Sequence, residues 1–520
     1  MTPNILTRIA DKRRERISRE GYGLSCPVPD RRAPGGDGGQ APGGVPTQGR
    51  PSPGGDGGSG RPRPFLPAGG IICEIKRRSP SRGDISAGLD PLEQAALYAE
   101  RGADAVSILT EEDHFGGCLA DLTAVKERFP DLPLLRKDFL LDVEDVDVSF
   151  RAGADAILLI AALLPADRLA EMHARSVELG MSALVEVHDE WEVDAVRELA
   201  PPLVGINARD LTTFRVDPLT PLRVRRSIDW SARVIYESGV FEAEQAAVAS
   251  SAGFDSVLVG EAVVREPERI DRIRAGLAWR MRQAGSGREA FLAAGKEGQP
   301  RDFWPRLAER MKPGMPLVKI CGITNYGDGA EAVRLGADIL GFVFAKSKRA
   351  ASPEAVRACT SLDCLRVAVV VCEEQDGVRR LPPAVEGLIA EGAIDAVQFH
   401  GDEKPDECAH LAFPYYKAVR LRSPDDAFEL DKWLCPRVLV DAFSRESRGG
   451  TGCTIEPETV AAVADHASLW LAGGLNPETI AAALYRHEPE LVDASSGLES
   501  EPGKKDHEKL AAFFREIHNA

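Results

Sequence analysis

The sequence predicts an α/β protein made of two tandem (β/α)8 TIM barrels. The chain of 520 residues is longer than a single hydrophobic core supports. From residue 71 onward, short apolar runs alternate with helix-patterned segments, and the alternation starts again at residue 317. Each half contains eight apolar runs, and eight strands joined by helices are enough to close one parallel barrel.

The N-terminal region precedes the first barrel. Residues Ile5 to Arg19 have the apolar spacing of an amphipathic helix with a face of Arg and Lys. Between residues 27 and 70 the composition changes to Gly, Pro, Asp and Arg. Such a segment buries too little apolar surface to offset the entropy lost on ordering. We therefore expect an N-terminal helical extension followed by a disordered Gly/Pro-rich insertion.

The first barrel is predicted to lie in a domain of residues 1–282. Helix-patterned segments such as Pro91–Arg101 and Ala166–Leu179 separate its strands, which favours parallel pairing. The predicted strands are Ile71–Ile75, Ala105–Leu109, Leu132–Leu135, Ala154–Ile160, Ala183–Val187, Leu203–Ile206, Arg233–Tyr236 and Ser256–Val259.

The second barrel is predicted to occupy residues 316–520. Polar sequence with Gly and Pro over residues 283–315 predicts a linker that contains one helix, Pro305–Met311. The predicted strands are Leu317–Ile320, Ile339–Phe344, Arg366–Val371, Ala396–Phe399, Tyr416–Val419, Val438–Val440, Leu469–Leu471 and Leu491–Val492.

Charge and composition narrow the class of partner. A net charge of −17 argues against nucleic acid and anionic membranes, although small anionic substrates need only local positive groups. The ten cysteines form no C-x-x-C pair or His/Cys ligand spacing, so we expect no disulfide framework and no metal. The N-terminus is not patterned as a signal peptide, and the apolar run Ala156–Leu164 is too short to span a bilayer. We expect a cytoplasmic protein.

Glu74 and Lys76 are the most informative residues of the first barrel. They lie two positions apart in an apolar strand, so their side chains share one face. Opposite charges in such a strand are costly unless they pair or take part in chemistry. A structural ion pair and a catalytic site are equally compatible with this pattern.

Polar residues also follow the other predicted strands of this barrel. Active sites of this fold lie at the carboxyl ends of the strands, so these residues are expected to face one mouth. Glycines there suit a phosphate cradle, whereas each charge alone is more often a solvated loop residue. The set is Glu74, Lys76, Lys137, Asp138, Phe139, Glu186, Asn207, Arg209, Glu237, Ser238, Gly239, Gly260 and Glu261.

The first barrel resembles indole-3-glycerol-phosphate synthase from about Ile71 to Leu277. The motifs that carry the resemblance are Glu74-Ile75-Lys76-Arg77-Arg78-Ser79-Pro80-Ser81, Leu135-Arg136-Lys137-Asp138-Phe139, Val185-Glu186-Val187, Gly205-Ile206-Asn207-Ala208-Arg209-Asp210-Leu211 and Glu237-Ser238-Gly239. The Gly/Pro-rich insertion is not part of that family's pattern.

This resemblance implies roles for residues of the first barrel. Lys137 would be the acid that protonates the substrate carbonyl, and Glu74, Lys76 and Glu186 would share the later proton transfers. The remaining expected contacts position the carboxylate, hydroxyls and phosphate of the substrate. They are Ser79, Phe139, Asn207, Arg209, Glu237, Ser238, Gly239 and Gly260.

The second barrel begins with Cys321 at a predicted strand end, which by itself is more often a buried small residue than a reactive thiol. Further polar groups follow the other strands. They are Lys346-Ser347-Lys348-Arg349, Gln398-Phe399-His400-Gly401, Asp441 with the Gly449-Gly450-Thr451-Gly452 loop, Ala472-Gly473-Gly474-Leu475 and Asp493-Ala494-Ser495-Ser496-Gly497.

Together these motifs resemble phosphoribosylanthranilate isomerase over about Pro316 to His518. Cys453-Thr454-Ile455 departs from that family's pattern. The resemblance implies that Asp441 is the acid and Cys321 the base of an Amadori rearrangement, and that Arg349 pairs with the anthranilate carboxylate. The other expected substrate contacts are His400, Gly473, Gly474, Asp493, Ser495, Ser496 and Gly497.

The two resemblances imply a bifunctional enzyme of tryptophan biosynthesis that acts on small anionic phosphosugar–anthranilate substrates. No cofactor is expected, no nucleic-acid or membrane partner is expected, and a monomer is compatible with the sequence. Two alternatives stay open at this point. One is another phosphosugar barrel enzyme that relies on paired aspartates, and the other is a catalytically silent barrel pair that serves as an interaction scaffold.

Overall fold

The computed structural model describes residues 5–23, 61–79, 83–86, 88–210, 215–285, 303–375, 378–408, 413–433, 435–441, 457–464 and 466–520. The chain divides into two units, Met1–Arg282 and Gln283–Ala520. Among these described residues, no helix combines the length and apolar character needed to cross a membrane. Residues 27–60 of the predicted insertion and the Gly449–Gly452 loop lie outside the described residues.

Eight parallel strands close the first barrel, as the sequence predicts. The strands of this unit are β1 (Gly70–Ile75), β2 (Arg78–Ser79), β3 (Gly83–Asp84), β4 (Ala105–Leu109), β5 (Leu134–Lys137), β6 (Ala156–Ile160), β7 (Ser182–Val187), β8 (Leu203–Asn207), β9 (Arg233–Glu237) and β10 (Ser256–Val259). β2 and β3 form a separate antiparallel pair, and each other strand pairs with its neighbour along the chain until β10 meets β1. This order places all eight carboxyl ends at one mouth.

Helices separate the strands of the first barrel. They are Ile5–Glu20, Pro91–Glu100, Leu119–Arg128, Val143–Arg151, Ala166–Glu178, Glu190–Val196, Thr220–Val224, Ala243–Ser251, Glu261–Arg265 and Arg269–Gly285. Phe65 and Leu66 are buried in the barrel core, although the predicted flexible insertion extends to residue 70. The prediction is therefore wrong for the C-terminal end of the insertion, because these two large apolar side chains provide enough buried surface to order the segment.

The second barrel is also closed by eight parallel strands. The strands of this unit are β11 (Leu317–Cys321), β12 (Ile339–Val343), β13 (Leu365–Val370), β14 (Glu373–Gln375), β15 (Val378–Arg380), β16 (Ala396–Phe399), β17 (Tyr415–Arg420), β18 (Val438–Asp441), β19 (Trp470–Ala472), β20 (Leu491–Ala494), β21 (Glu499–Glu501) and β22 (Lys504–Lys505). β14 with β15 and β21 with β22 form small hairpins outside the barrel.

The helices of the second unit include one from the predicted linker. They are Phe303–Arg310, Tyr326–Leu335, Pro353–Ala358, Pro383–Ala390, Pro405–Cys408, Pro457–Val463, Ile480–His487 and His507–Asn519. Phe303 stacks on Tyr416 at 6.4 Å between ring centroids, and Trp304 lies 6.1 Å from Trp470. Because Tyr416 and Trp470 are on barrel strands, this helix belongs to the core of the second barrel.

Candidate active sites

A cavity at the mouth of the first barrel is lined by most of the residues expected from the sequence. Those residues are Glu74, Lys76, Lys137, Phe139, Glu186, Asn207, Arg209, Ser238, Gly239 and Gly260. Glu237 contacts Lys137 but does not line the cavity itself. The Ser79 side chain lies outside the described part of the molecule. The parallel order of the strands therefore gathers these polar groups at one place.

Lys137 lies at the end of β5 among carboxylates. Its Nζ is 2.6 Å from Glu237 Oε2 and 3.6 Å from Glu186 Oε2. Burial alone would lower the pKa of Lys137, but Glu237, Glu186 and Glu74 outweigh burial and raise that pKa above its usual range. The amine is therefore held in its protonated form.

Glu186 and Glu237 differ in their preference for a proton. Burial would raise the pKa of Glu186, but Lys137 and His188 outweigh it and lower that pKa. The pKa of Glu237 is raised, because burial and the nearby Glu186 charge outweigh Lys137. Gly205 makes room for this pair, since a Cβ there would lie 2.0 Å from Glu237 Oε1.

Glu74 and Lys76 form an ion pair at the wall of the same cavity. Lys76 Nζ is 2.6 Å from Glu74 Oε1. Burial would raise the pKa of Glu74, but Lys76 and Lys137 lower it overall. Gly260 packs against the pair, because a Cβ there would lie 2.7 Å from Glu74 Oε1. Glu74 and Lys76 therefore pair with each other and also line the cavity.

Asn207 and Ser238 connect the ends of β8 and β9. Asn207 Oδ1 accepts hydrogen bonds from Arg209 N at 3.0 Å and from Ser238 Oγ at 2.9 Å. Ser238 has φ of 68° and Gly239 has φ of 80°. The left-handed region is costly for serine, and such strain is typical of functional loops.

The mouth of the second barrel holds another cavity. All ten residues expected from the sequence line it: Cys321, Arg349, His400, Asp441, Gly473, Gly474, Asp493, Ser495, Ser496 and Gly497. Gly473 and Gly474 have φ values of 95° and 67°, so glycine is required for the turn after β19. Three or more His, Cys, Asp or Glu side chains do not meet in a metal-binding arrangement anywhere in the described part of either barrel.

Cys321 lies beside a buried lysine at the end of β11. Lys319 is fully buried, and its Nζ contacts Gln398 Oε1 at 2.6 Å and Asp493 Oδ2 at 2.5 Å. Burial raises the pKa of the Cys321 thiol, and the positive charges of Lys319 and Lys505 act against that increase.

Asp441 and His400 face each other at 3.3 Å between Oδ2 and Nε2. The amide oxygen of Gln398 accepts from Lys319 and from the Tyr416 hydroxyl, which fixes the orientation of this amide. Its NH2 group therefore donates to His400 Nδ1 at 3.1 Å. This arrangement leaves the His400 ring proton on Nε2, directed at Asp441.

Comparison with known proteins agrees with both cavities. Residues 67–275 match the family model of indole-3-glycerol phosphate synthase, and residues 318–516 match that of N-(5'-phosphoribosyl)anthranilate (PRA) isomerase. The tryptophan biosynthesis protein TRP1 of Phytophthora nicotianae is 30% identical over 491 residues, covering 82% of this chain and 87% of that protein. The chain belongs to these two families. The resemblances stated from sequence are confirmed.

Two further relatives cover the chain differently. An indole-3-glycerol phosphate synthase of a Nocardioides species is 43% identical over 41% of this chain and 82% of its own length. A multifunctional tryptophan biosynthesis protein of Phycomyces blakesleeanus is 31% identical over 85% of this chain. This chain spans 62% of the Phycomyces protein's length, so that relative contains additional sequence.

The N-terminal helix takes part in the synthase-family cavity, which the sequence did not indicate. Leu6 and Ile9 line the cavity together with Phe139. Arg13 is buried on the same helix, where its guanidinium donates to both oxygens of Asp138 at 3.1 Å and to Asp145 Oδ1 at 2.6 Å. These bonds fix the helix over the mouth.

Glu499 is a further polar residue at the isomerase-family cavity that the sequence did not indicate. Arg349 Nε lies 3.0 and 2.9 Å from the two oxygens of Glu499. Lys505, also buried, contacts Glu499 Oε1 at 3.2 Å and donates to the Ser495 carbonyl at 3.1 Å. Glu499 therefore holds the hairpin of β21 and β22 against the cavity.

Proposed function

We propose that the chain catalyses two consecutive steps of tryptophan biosynthesis. The second barrel would convert N-(5-phosphoribosyl)anthranilate into carboxyphenylamino-deoxyribulose 5-phosphate. The first barrel would close the indole ring of that product, releasing CO2 and water to give indole-3-glycerol phosphate. The single observation that supports this proposal best is the cationic Lys137 held inside a cavity by three carboxylates, because ring closure requires an acid at a carbonyl oxygen.

The isomerase step requires one group that protonates the ribose ring oxygen and one that removes the C2 proton. Asp441 is proposed as the acid and Cys321 as the base, and both line one cavity. Lys319 supports the thiolate of Cys321 by its positive charge. Arg349 is proposed to bind the anthranilate carboxylate, since Glu499 holds only its Nε edge.

The phosphate of both substrates is proposed to bind on loops after the last two strands of each barrel. In the second barrel these loops contain Gly473, Gly474 and residues 495–497, whose backbone N–H groups suit an anion. In the first barrel they contain Ser238, Gly239 and Gly260. Small residues there let the phosphate approach the backbone closely.

The ring-closing step begins with attack of the aromatic carbon on the carbonyl of the open-chain sugar. Lys137 is proposed to protonate the carbonyl oxygen as the new C–C bond forms. Loss of CO2 then restores the aromatic ring, and loss of the hydroxyl as water requires another acid and a base. Glu186 is proposed as the base, and Glu74 with Lys76 as the remaining proton-transfer pair, because all three groups line the cavity.

A two-variant mixing experiment tests this proposal. The purified chain should convert N-(5-phosphoribosyl)anthranilate into indole-3-glycerol phosphate without added cofactor. Lys137→Met should stop at the deoxyribulose intermediate, and Asp441→Asn should leave the first substrate unconverted. A mixture of the two variants should restore the complete conversion, since each supplies the step that the other lacks. Absence of product with the wild-type chain would refute the proposed function.

The compartment and the assembly state are part of the proposal. The eight cysteines in the described residues are all free thiols, which suits a reducing compartment such as the cytoplasm. We propose a cytoplasmic monomer, and light scattering of the purified chain would measure its mass.

A further inference from the structure

His188 lies just behind the synthase-family cavity and has no part in the mechanism proposed above. It follows β7 two residues after Glu186, so both side chains point to the same side. Its Nε2 is 3.4 Å from Glu186 Oε1, and its Nδ1 is 3.0 Å from Glu192 Oε2. The ring therefore bridges a cavity carboxylate and a second carboxylate on the following helix.

Glu192 fixes this ring from two directions. One carboxylate oxygen, Oε2, accepts the backbone N–H of His188 at 2.9 Å and also contacts Nδ1. Only 12% of the His188 side chain and 20% of the Glu192 side chain are exposed. The bond to Glu192 places the proton of Nδ1 there and holds Nε2 at ion-pair distance, 3.4 Å, from Glu186 Oε1.

Lys137 by itself favours the ionised form of Glu237 over that of Glu186. Its ammonium is 2.6 Å from Glu237 but 3.6 Å from Glu186. Two carboxylates that share one site cannot easily both be charged, so one of them takes the proton. The contact of His188 with Glu186 opposes the preference set by Lys137.

We infer that His188 is a positioning residue that keeps Glu186 as the ionised base and leaves Glu237 as the protonated member of the pair. This inference rests on the proposed ring-closing function, because it assigns the proton-transfer roles within that reaction. His188 acts only through Glu186 and does not line the cavity.

The charges around this group support the assignment. Glu186 faces Lys137 from β5, Glu237 from β9 and His188 at the end of its own strand. His188 faces Glu186 and Glu192. Burial would lower the pKa of His188, but these two carboxylates outweigh burial and raise it to about 10. The ring is therefore a cation across the neutral pH range.

The test is the pH profile of ring closure from supplied deoxyribulose intermediate. An opposite charge within about 6 Å lowers a carboxyl pKa by roughly 1–3 units, so His188→Gln should raise the acid limb of kcat by about 1–3 pH units. His188→Lys, which restores a positive charge, should return the limb towards the wild-type position. Glu190→Gln is the matched control, because Glu190 lies on the same helix but contacts Arg223 instead.

Glu192→Gln provides a second route if His188→Gln folds poorly. It removes the partner of Nδ1 and should move the acid limb in the same direction by a smaller amount. A lower kcat with an unmoved acid limb in both variants would overturn the inference and show that His188 only packs. A wild-type chain without any ring-closing activity would instead refute the proposed function, so the two failures are distinguishable.

Discussion

Replacing Lys137 by methionine removes the only cation that the structure places within 4 Å of Glu237 in the described residues. Methionine has a similar length but no charge, so the cavity keeps its volume. Loss of a positioned acid lowers turnover by about 10²–10⁴, equivalent to about 3–5 kcal/mol in the activation free energy. We expect that decrease in kcat for ring closure.

The remaining activity should depend on pH in a specific direction. Without Lys137, the buried carboxylates Glu186 and Glu237 lose the cation between them, and one of them holds a proton more tightly. That protonated carboxyl is the remaining acid of the variant. The residual rate should therefore rise as the pH falls, whereas the wild-type rate should not.

Stopped-flow fluorescence of indole formation measures this rate, and binding of the substrate with its carbonyl reduced to an alcohol measures affinity separately. Lys126→Met is the matched control, because it also removes a lysine from a buried carboxylate, Asp155 at 2.7 Å. Lys126 does not line the cavity. Its kcat should equal that of the wild type. A near-normal kcat with weakened binding in Lys137→Met would refute the reasoning, because it would identify Lys137 as an anion clamp.

Three further outcomes are expected. Cys321→Ser and Asp441→Asn should each lower the rate of isomerisation by about 10²–10⁴-fold, while ring closure from supplied intermediate is unchanged. A Cys321→Ser chain that isomerises at the wild-type rate would show that the thiol only packs. Cleavage near Gly287 should leave each half with its own reaction, and loss of both reactions would show that the two units depend on each other. The pKa of His188 is raised to about 10, so its charge should stabilise the first barrel fully below about pH 6.5 and progressively less up to pH 10. The difference in Tm between the wild type and His188→Gln should therefore shrink over that interval.

The barrel strands were predictable because each apolar run is long enough to define a buried strand, and their observed bounds differ from the predicted ones by at most two residues. The gathering of the strand-end polar residues at one cavity in each barrel was predictable as well, since parallel closure places all carboxyl ends together. Glu74 and Lys76 are two residues apart in the sequence, so their side chains were expected on one face of the strand. Their contact at 2.6 Å agrees with that expectation.

Contacts between distant parts of the chain were not predictable. Arg13 and Asp138 are 125 residues apart, and no periodicity relates them. Arg349 and Glu499 are 150 residues apart and meet only because the hairpin of β21 and β22 folds back on the mouth. His188 is a different case, because it lies two residues after Glu186, the same spacing that relates Glu74 and Lys76, so its place beside the site was predictable.

The two barrels place charge around their reactive groups with opposite sign. In the proposed mechanism Lys137 gives up a proton, and the three carboxylates that act on it raise its pKa against the effect of burial. In the same proposal Cys321 loses a proton. Burial raises the pKa of its thiol overall, and the cation of Lys319 is the charge that most opposes this increase. Because the fold fixes only where strand ends meet, the side chains at alternate strand positions determine whether a mouth favours an acid or a base. One architecture therefore suits both of the proposed steps.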